Sequence, residues 1–464
     1  MRPLLWLSLL PVLIACDAPS RAKHPSLVSV AVRARRSREE ATPTPNSANA
    51  LEKEVSPARS PEGLAVLLAE YDRRVASGAD VTSLAEAKQT IDRTAGQRDA
   101  SVSRLFWYTD LESAKAAARK SGRPILSLRL LGRLDEELSC ANSRLFRLTL
   151  YANAQVSAFL RDNYVLYWSS ERPVPEVTID FGDGRALKRT LTGNSVHYVL
   201  DAEGRVIDAL PGLYGPAGFE RGLRESLEMA RRSSGLSDED SATEVAKYHG
   251  RAARALTKSW TKQLWRVYGK DYGAELTDVS LPSPVKTSWP HPLYGSIPAT
   301  VVNELTMSKA DLEAPSLSLF QPEVMVSSAW GDWSKIAAGL PKEQLDDASV
   351  VLIRAKHPRD WSTRGATELD DAQLTKQLSQ FESRLTEEEL RNEFVFHGAV
   401  HRQLSKASRV DRTSLNEFVY SRLFMTPKGD AWLGLTSTTA LTGIDDDGLV
   451  ASAPAAPKTE AAAP

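Results

Sequence analysis

Cysteine and histidine are the side chains of this 464-residue sequence whose types and spacing could do chemistry. There are two cysteines, Cys16 and Cys140. Cys16 closes an apolar N-terminal run, which leaves Cys140 as the one thiol of the remaining chain. A solitary thiol is either buried and inert or, where its surroundings favour the thiolate, reactive. Glu393, His397 and His401 are spaced by four in a stretch of helical periodicity, which sets all three on one face. Two imidazoles one turn apart can share a metal ion, and a carboxylate can join them. The H-E-x-x-H order is absent, and the alternative is a polar helix face that carries two histidines. His197 lies between apolar residues of a strand-like run and reads as a packed histidine. Asp180 and Asp183 flank a hairpin turn, where aspartate serves turn geometry. No phosphate-binding glycine loop, serine nucleophile elbow or haem-attachment motif occurs, and no cofactor is expected.

The chain that must position these residues is long enough for two or three domains. Its 58 Lys+Arg against 59 Asp+Glu give no bulk field for nucleic acid, and its 42% apolar content permits a packed core. The first residues differ in kind. Arg2 precedes the apolar run Leu4–Ile14, interrupted only by Ser8 and Pro11. That run is too short for a membrane span, which needs about twenty residues, but fits the core of a signal peptide over 1–15. Leu13-Ile14-Ala15-Cys16 resembles the lipobox of bacterial lipoproteins. The resemblance implies cleavage before Cys16, lipidation of its sulfur, and a chain held to a cell-envelope membrane by its N-terminal lipid, facing the periplasm or exterior. With Cys16 acylated, Cys140 has no intrachain disulfide partner.

Residues 16–61 are rich in Ala, Pro, Ser and Arg without apolar period and read as a disordered tether. A helical lead-in follows over 62–100, with Leu64, Leu67, Leu68 and Tyr71 on one face. Residues 101–234 alternate strands and helices. Leu105–Tyr108, Ile125–Leu131 and Tyr164–Trp168 read as strands. A helix over Leu111–Lys120, capped by Thr109 or Asp110 and ended by Gly122, lies between the first two. A hairpin over Val177–Thr192, strands at Val196–Leu200 and Arg205–Ala209, and a helix over Ala217–Arg231 complete the unit. Residues 235–340, with Trp260, Trp265 and the prolines at 282, 284, 290 and 292, read as irregular. Residues 341–450 read as a helical C-terminal domain and 451–464 as a disordered Ala/Pro tail.

The stretch from Trp107 to Arg232 resembles a thioredoxin-like domain. The resemblance lies in Asp110-Leu111-Glu112-Ser113-Ala114, Gly122-Arg123-Pro124-Ile125-Leu126, Val156–Trp168 and Gly193–Asp201. It implies the fold class: α/β, a thioredoxin-like mixed sheet with flanking helices, here joined to a mainly helical C-terminal region. In redox-active members a C-x-x-C pair opens the first long helix after a central strand, where the helix N-terminus stabilises a thiolate. The corresponding residues are Cys140-Ala141-Asn142-Ser143, similar to the one-thiol C-x-x-S variant. This implies Cys140 as a nucleophile and Ser143 as its hydrogen-bond partner, unable to resolve a mixed disulfide. The sequence departs from the family in three ways. Cys140 lies nine residues beyond Leu131. Asp135, Glu136 and Glu137 precede it, with Arg144 and Arg147 acting in the opposite sense. Ser195 stands where the family has a cis-proline. The first expectation is therefore a lipid-anchored envelope protein that binds or supports an unknown envelope partner. The second is a monothiol thiol-disulfide oxidoreductase, and the third is metal or partner binding through the helical C-terminal domain.

Overall fold

The computed structural model describes residues 59–190, 193, 195–269, 333–360, 366–406 and 411–424, and positions 426, 428, 429 and 449. The expectations for Cys16, the signal peptide, the tether, residues 270–332 and the tail from 451 lie outside the described residues.

A helical pair leads in. Helix α1 (Pro61–Ala76) starts at Ser60, whose hydroxyl accepts the Gly63 N–H, with proline in its first turn. Helix α2 (Val81–Ala95) is capped by Asp80 and stops at Gly96, which takes the left-handed φ of 68°. Leu64, Leu68, Ile91, Ala95 and Ala100 form a small apolar cluster of their own.

The α/β unit follows the alternation in the sequence. Its elements are β1 (Trp107–Tyr108), α3 (Leu111–Ser121), β2 (Ile125–Leu131), α4 (Ala141–Thr149), α5 (Ala154–Asn163) and β3 (Val165–Arg172). Then come β4 (Glu176–Asp180), β5 (Ala186–Thr190), β6 (Val196–Leu200), β7 (Val206–Pro211) and α6 (Pro216–Ser233). Strand order in the main sheet is β1-β3-β2-β6-β7, and β4 and β5 form a separate hairpin. Strand β3 runs parallel to β1 and β2; β6 is antiparallel to β2 and β7. Strand β2 is buried at every position except Arg129, the near-continuous apolar run of a strand covered on both faces. Strand β7 ends the sheet, yet every residue of it is buried. An edge strand stays dry only if other elements cover it.

The cover comes from the C-terminal half. Helix α7 (Asp238–Tyr268) is one continuous element within the stretch expected to be irregular. The difference has local causes. Ser237 caps it, Asp238, Glu239 and Asp240 match its positive end, and its 31 residues contain no proline. Val245, Tyr248, Trp260 and Leu264 are buried. Helix α8 (Asp347–Ala355) precedes α9 (Asp371–Arg391), which opens with a capping box between Asp370 and Gln373. Helix α9 runs without a break into a π-helical segment, Asn392–His397, and then α10 (Gly398–Lys406). Helix α11 (Arg412–Phe418) passes into a second π-helical segment, Val419–Leu423. One apolar core contains side chains from Leu105, just before β1, to Phe424, so the C-terminal helices and the sheet exclude water together. Among the described residues no helix is long and apolar enough to cross a membrane.

Candidate functional site

Two groups of residues could carry chemistry. The first surrounds Cys140, which is the N-cap residue of α4 but whose side chain makes no capping bond. The sulfur is 0% exposed. It lies 3.1 Å from Ser195 Oγ and 3.5 Å from Ser143 Oγ. The Cys140 thiol donates to Ser143 Oγ, whose own hydroxyl is directed to Ser139 Oγ at 2.7 Å and Cys140 O at 2.8 Å. Arg144 is the cation within electrostatic reach of the sulfur. Its guanidinium is held elsewhere, donating to Ser139 O at 3.1 Å and Thr190 Oγ1 at 3.0 Å. Arg147 is buried and donates to the carbonyls of Leu134, Glu136 and Glu137, bracing the loop before Cys140. The three acids ahead of the cysteine face outward, Asp135 and Glu136 on Arg133 and Glu137 on Arg98. The acids are thus paired away from the sulfur, Arg147 braces the loop, and Arg144 keeps an electrostatic interaction with Cys140.

The second group lies on the other side of the sheet edge, at β7. Asp208 is fully buried in the middle of that strand. Its Oδ2 accepts from the hydroxyls of Ser226 on α6 (2.9 Å) and Tyr248 on α7 (3.2 Å); its Oδ1 accepts the Ala209 N–H (2.8 Å). His397 Nε2 lies 3.2 Å from Oδ1, and His397 Nδ1 lies 3.3 Å from Glu393 Oε2. Burial alone would raise the Asp208 carboxyl. The surrounding histidines, His397 above all, reverse this and hold it well below the usual carboxylate range. Burial likewise works against protonated His397, but the charges of Asp208 and Glu393 and the hydrogen bonds to both push it up to about 10. His397 is an imidazolium at neutral pH, clamped between two carboxylates.

His249 and His401 complete the group. His249 Nε2 is 2.8 Å from the Ile207 carbonyl, an acceptor only, so Nε2 carries the proton and Nδ1 the lone pair. That Nδ1 is 2.7 Å from His401 Nδ1, which must therefore donate. Burial lowers both rings' pKa, and charged His397 lowers His401 further, so both are neutral. The His397 and His401 rings stack with centroids 4.0 Å apart. One ligand atom each from Asp208, His249 and His401 fall within 4.8 Å of one another.

A cavity of ≈ 500 Å³ adjoins this group, with His401 and Glu393 in its wall beside Arg221, Glu225, Glu343 and Glu389. Glu389 accepts from the Gly215 N–H and from Arg221, while Glu343 accepts from the Ala217 N–H. Both carboxylates thus sit at the positive N-terminus of α6. Gly218 lets Glu389 come close, since a Cβ there would lie 2.0 Å from Glu389 Oε1, and Gly215 does the same for Glu343. Burial, then the charge of Glu343, raises Glu389 to about 8 against the pull of Arg221.

The structure brings Glu393, His397 and His401 onto one face as their spacing implies, but Glu393 and His397 are engaged with each other. Asp208 and His249 were not singled out in the sequence. The available signal was a charged residue in the middle of the apolar run Val206–Leu210. Cys140 and Ser143 are adjacent, and the second hydroxyl on the sulfur comes from Ser195. His197 is a packed histidine, fully buried, bonded to Tyr151 at 2.7 Å and held neutral by burial with its pKa near 3. Asp180 and Asp183 accept turn N–H groups from Gly182 and Arg185. Trp260 is core, its ring 5.0 Å from Phe394. Compared with protein-family models, with curated proteins and with solved structures, the chain matches none.

Proposed function

We propose that this chain is a lipid-anchored cell-envelope protein whose thioredoxin-like unit binds or supports an envelope partner rather than turning over thiols. The observation that carries this reading is the enclosure of Cys140: a fully buried sulfur, hydrogen-bonded by Ser143 and Ser195, under a helical cover. A nucleophilic thiol must meet its disulfide along a line of attack, and access is part of its rate. The hydroxyls of Tyr151 and Tyr420 lie within electrostatic reach of the sulfur, and Tyr420 belongs to the C-terminal π-helical segment.

Support for the thioredoxin-like assignment is the strand order β1-β3-β2-β6-β7, with two parallel and two antiparallel pairings. The cysteine also stands at the N-cap of the helix that follows the central strand. Ser195, directly before β6, faces it from the position where that family has its cis-proline. Support for the anchor is the apolar run and lipobox-like Leu13-Ile14-Ala15-Cys16.

Alkylation of the native protein across pH 6–9, read by mass spectrometry, tests the binding role against the oxidoreductase. Cys140 is expected to react only after denaturation. Stoichiometric modification of folded protein, with a midpoint below the ordinary thiol value of about 8.5, would establish the oxidoreductase instead. For the anchor, Cys16→Ala expressed in a bacterial host is expected to move the chain from the membrane to the soluble envelope fraction. Unchanged membrane association of that variant would refute lipid attachment at Cys16.

A further inference from the structure

We infer that Asp208, His249 and His401 form a binding site for a divalent transition-metal ion of the zinc class, reached from the adjoining cavity through His401. Two imidazoles and one carboxylate are a donor set that suits such ions and leaves a coordination position for water or a ligand. The three side chains come from β7, α7 and α10, so the site exists only in the folded chain.

The supporting shell is already in place. A metal-ligating histidine usually donates its other N–H to a carbonyl or carboxylate, which fixes its tautomer. His249 does this through Nε2 to the Ile207 carbonyl and leaves the Nδ1 lone pair aimed at His401. Asp208 is oriented by Ser226, Tyr248 and the Ala209 N–H. The two Nδ1 atoms, 2.7 Å apart, share one proton. An ion at zinc–nitrogen distances of about 2.0–2.1 Å in tetrahedral geometry needs them about 3.3 Å apart. The two nitrogens must part by about 0.6 Å, and the set, now spread within 4.8 Å, must draw the carboxylate oxygen inward by side-chain rotation. The proton of His401 moves from Nδ1 to Nε2, a tautomer change with no net proton loss, so one dication enters for no proton released.

Neighbouring carboxylates and the local backbone point the same way. The carboxylates of Asp208 and Glu393 flank His397, 3.2 and 3.3 Å from its two ring nitrogens. The cavity wall adds Glu225 and Glu343, with Arg221 and Lys342 beside them. The buried Tyr214 hydroxyl has no hydrogen-bond partner among the described residues and lies within reach of the charges of Glu393, Glu389 and Asp208. The π-helical segment Asn392–His397 ends one helical turn before His401, and such insertions concentrate at functional sites.

The test uses the purified full chain without an affinity tag, stripped with chelator and titrated with Co²⁺ and Zn²⁺. One ion per chain is expected, with visible Co²⁺ d–d bands that Zn²⁺ abolishes. In long-range ¹H–¹⁵N spectra of the histidine rings, Zn²⁺ should shift Nδ1 of His249 and His401. H401A is expected to weaken Zn²⁺ binding by about 100-fold or more, beyond the 10–100-fold effect of losing a supporting residue. Absence of bands and of heat in the wild-type protein would overturn the site. So would Zn²⁺ affinity unchanged in folded H249A and H401A, or ring shifts confined to other histidines. The ring spectra need no variant and decide the matter even if both substitutions prevent folding. None of these outcomes bears on the reactivity of Cys140.

Discussion

At Cys140 the helix N-terminus and the thiol are adjacent, but the geometry connects the sulfur to hydroxyls and not to helix N–H groups. Cys140→Ser retains a small polar group between Ser143 and Ser195 and is expected to change stability by less than about 1 kcal/mol. Cys140→Ala removes the partner of Ser195 and leaves a small void, for a loss of about 1–2 kcal/mol, read from urea unfolding. Asp92 gives a pH-dependent counterpart. Burial raises its carboxyl to about 6 although the Ala100 N–H donates to it at 2.8 Å. Because the folded value lies above the unfolded one, near 4, its contribution is fully present below pH 4 and is lost as pH rises through 6. Asp92→Asn is expected to raise stability at pH 7.5 by about 1–2 kcal/mol and to leave pH 4 unchanged. An equal gain at both pH values would sink that account. Which residues were candidates for chemistry was partly legible in the sequence, since type and four-residue spacing sufficed for His397 and His401. The partners of those residues were not, because Asp208 and His249 lie more than a hundred positions away in the chain.

Among the elements, the loop 132–139 is braced chiefly by Arg147, with Arg144 and Thr190 on the Ser139 carbonyl at its end. The Arg147 guanidinium donates to three carbonyls of that loop. Arg147→Met keeps the apolar stem and removes every one of these donors. Losing these charge-assisted hydrogen bonds is expected to cost about 1–3 kcal/mol and to open the loop to proteolysis. Intact wild-type resistance in the variant would show that water replaces the arginine. The elements best read in advance were those with terminal chemistry in the sequence. Asp110 accepts the Ser113 N–H at the start of α3, and Gly122 ends it at φ 68°. The 31-residue α7 was less legible, since its aromatic residues and the prolines beyond it masked a continuous helical period. The π-helical insertion at Asn392–His397 had no signal at all. It lies against β7, where His397 meets Asp208, and a contact with a strand so distant in sequence leaves no mark in the helix's own period.

Across the whole molecule, the C-terminal helices and the sheet share one core, while α1 and α2 pack on a smaller cluster. That pair is tied to the sheet by few bonds, such as Trp168 Nε1 to the Gly96 carbonyl and Trp107 Nε1 to Gln97. Hydrogen exchange is therefore expected to release α1 and α2 first, with β2, β6 and the interior of α7 and α10 opening together in a single later step. Separate transitions for the sheet and for α9–α10 would contradict a shared core. The sequence by itself determined the order of strands and helices from Leu105 to Arg231 and end signals such as Asp110 and Gly122, because those depend on neighbours within a few residues. Only the tertiary structure decided that the Cys140 sulfur is enclosed and that four distant residues, Asp208, His249, His397 and His401, meet at one buried point. Burial and charge pairing depend on what packs from across the fold, and no local period encodes that.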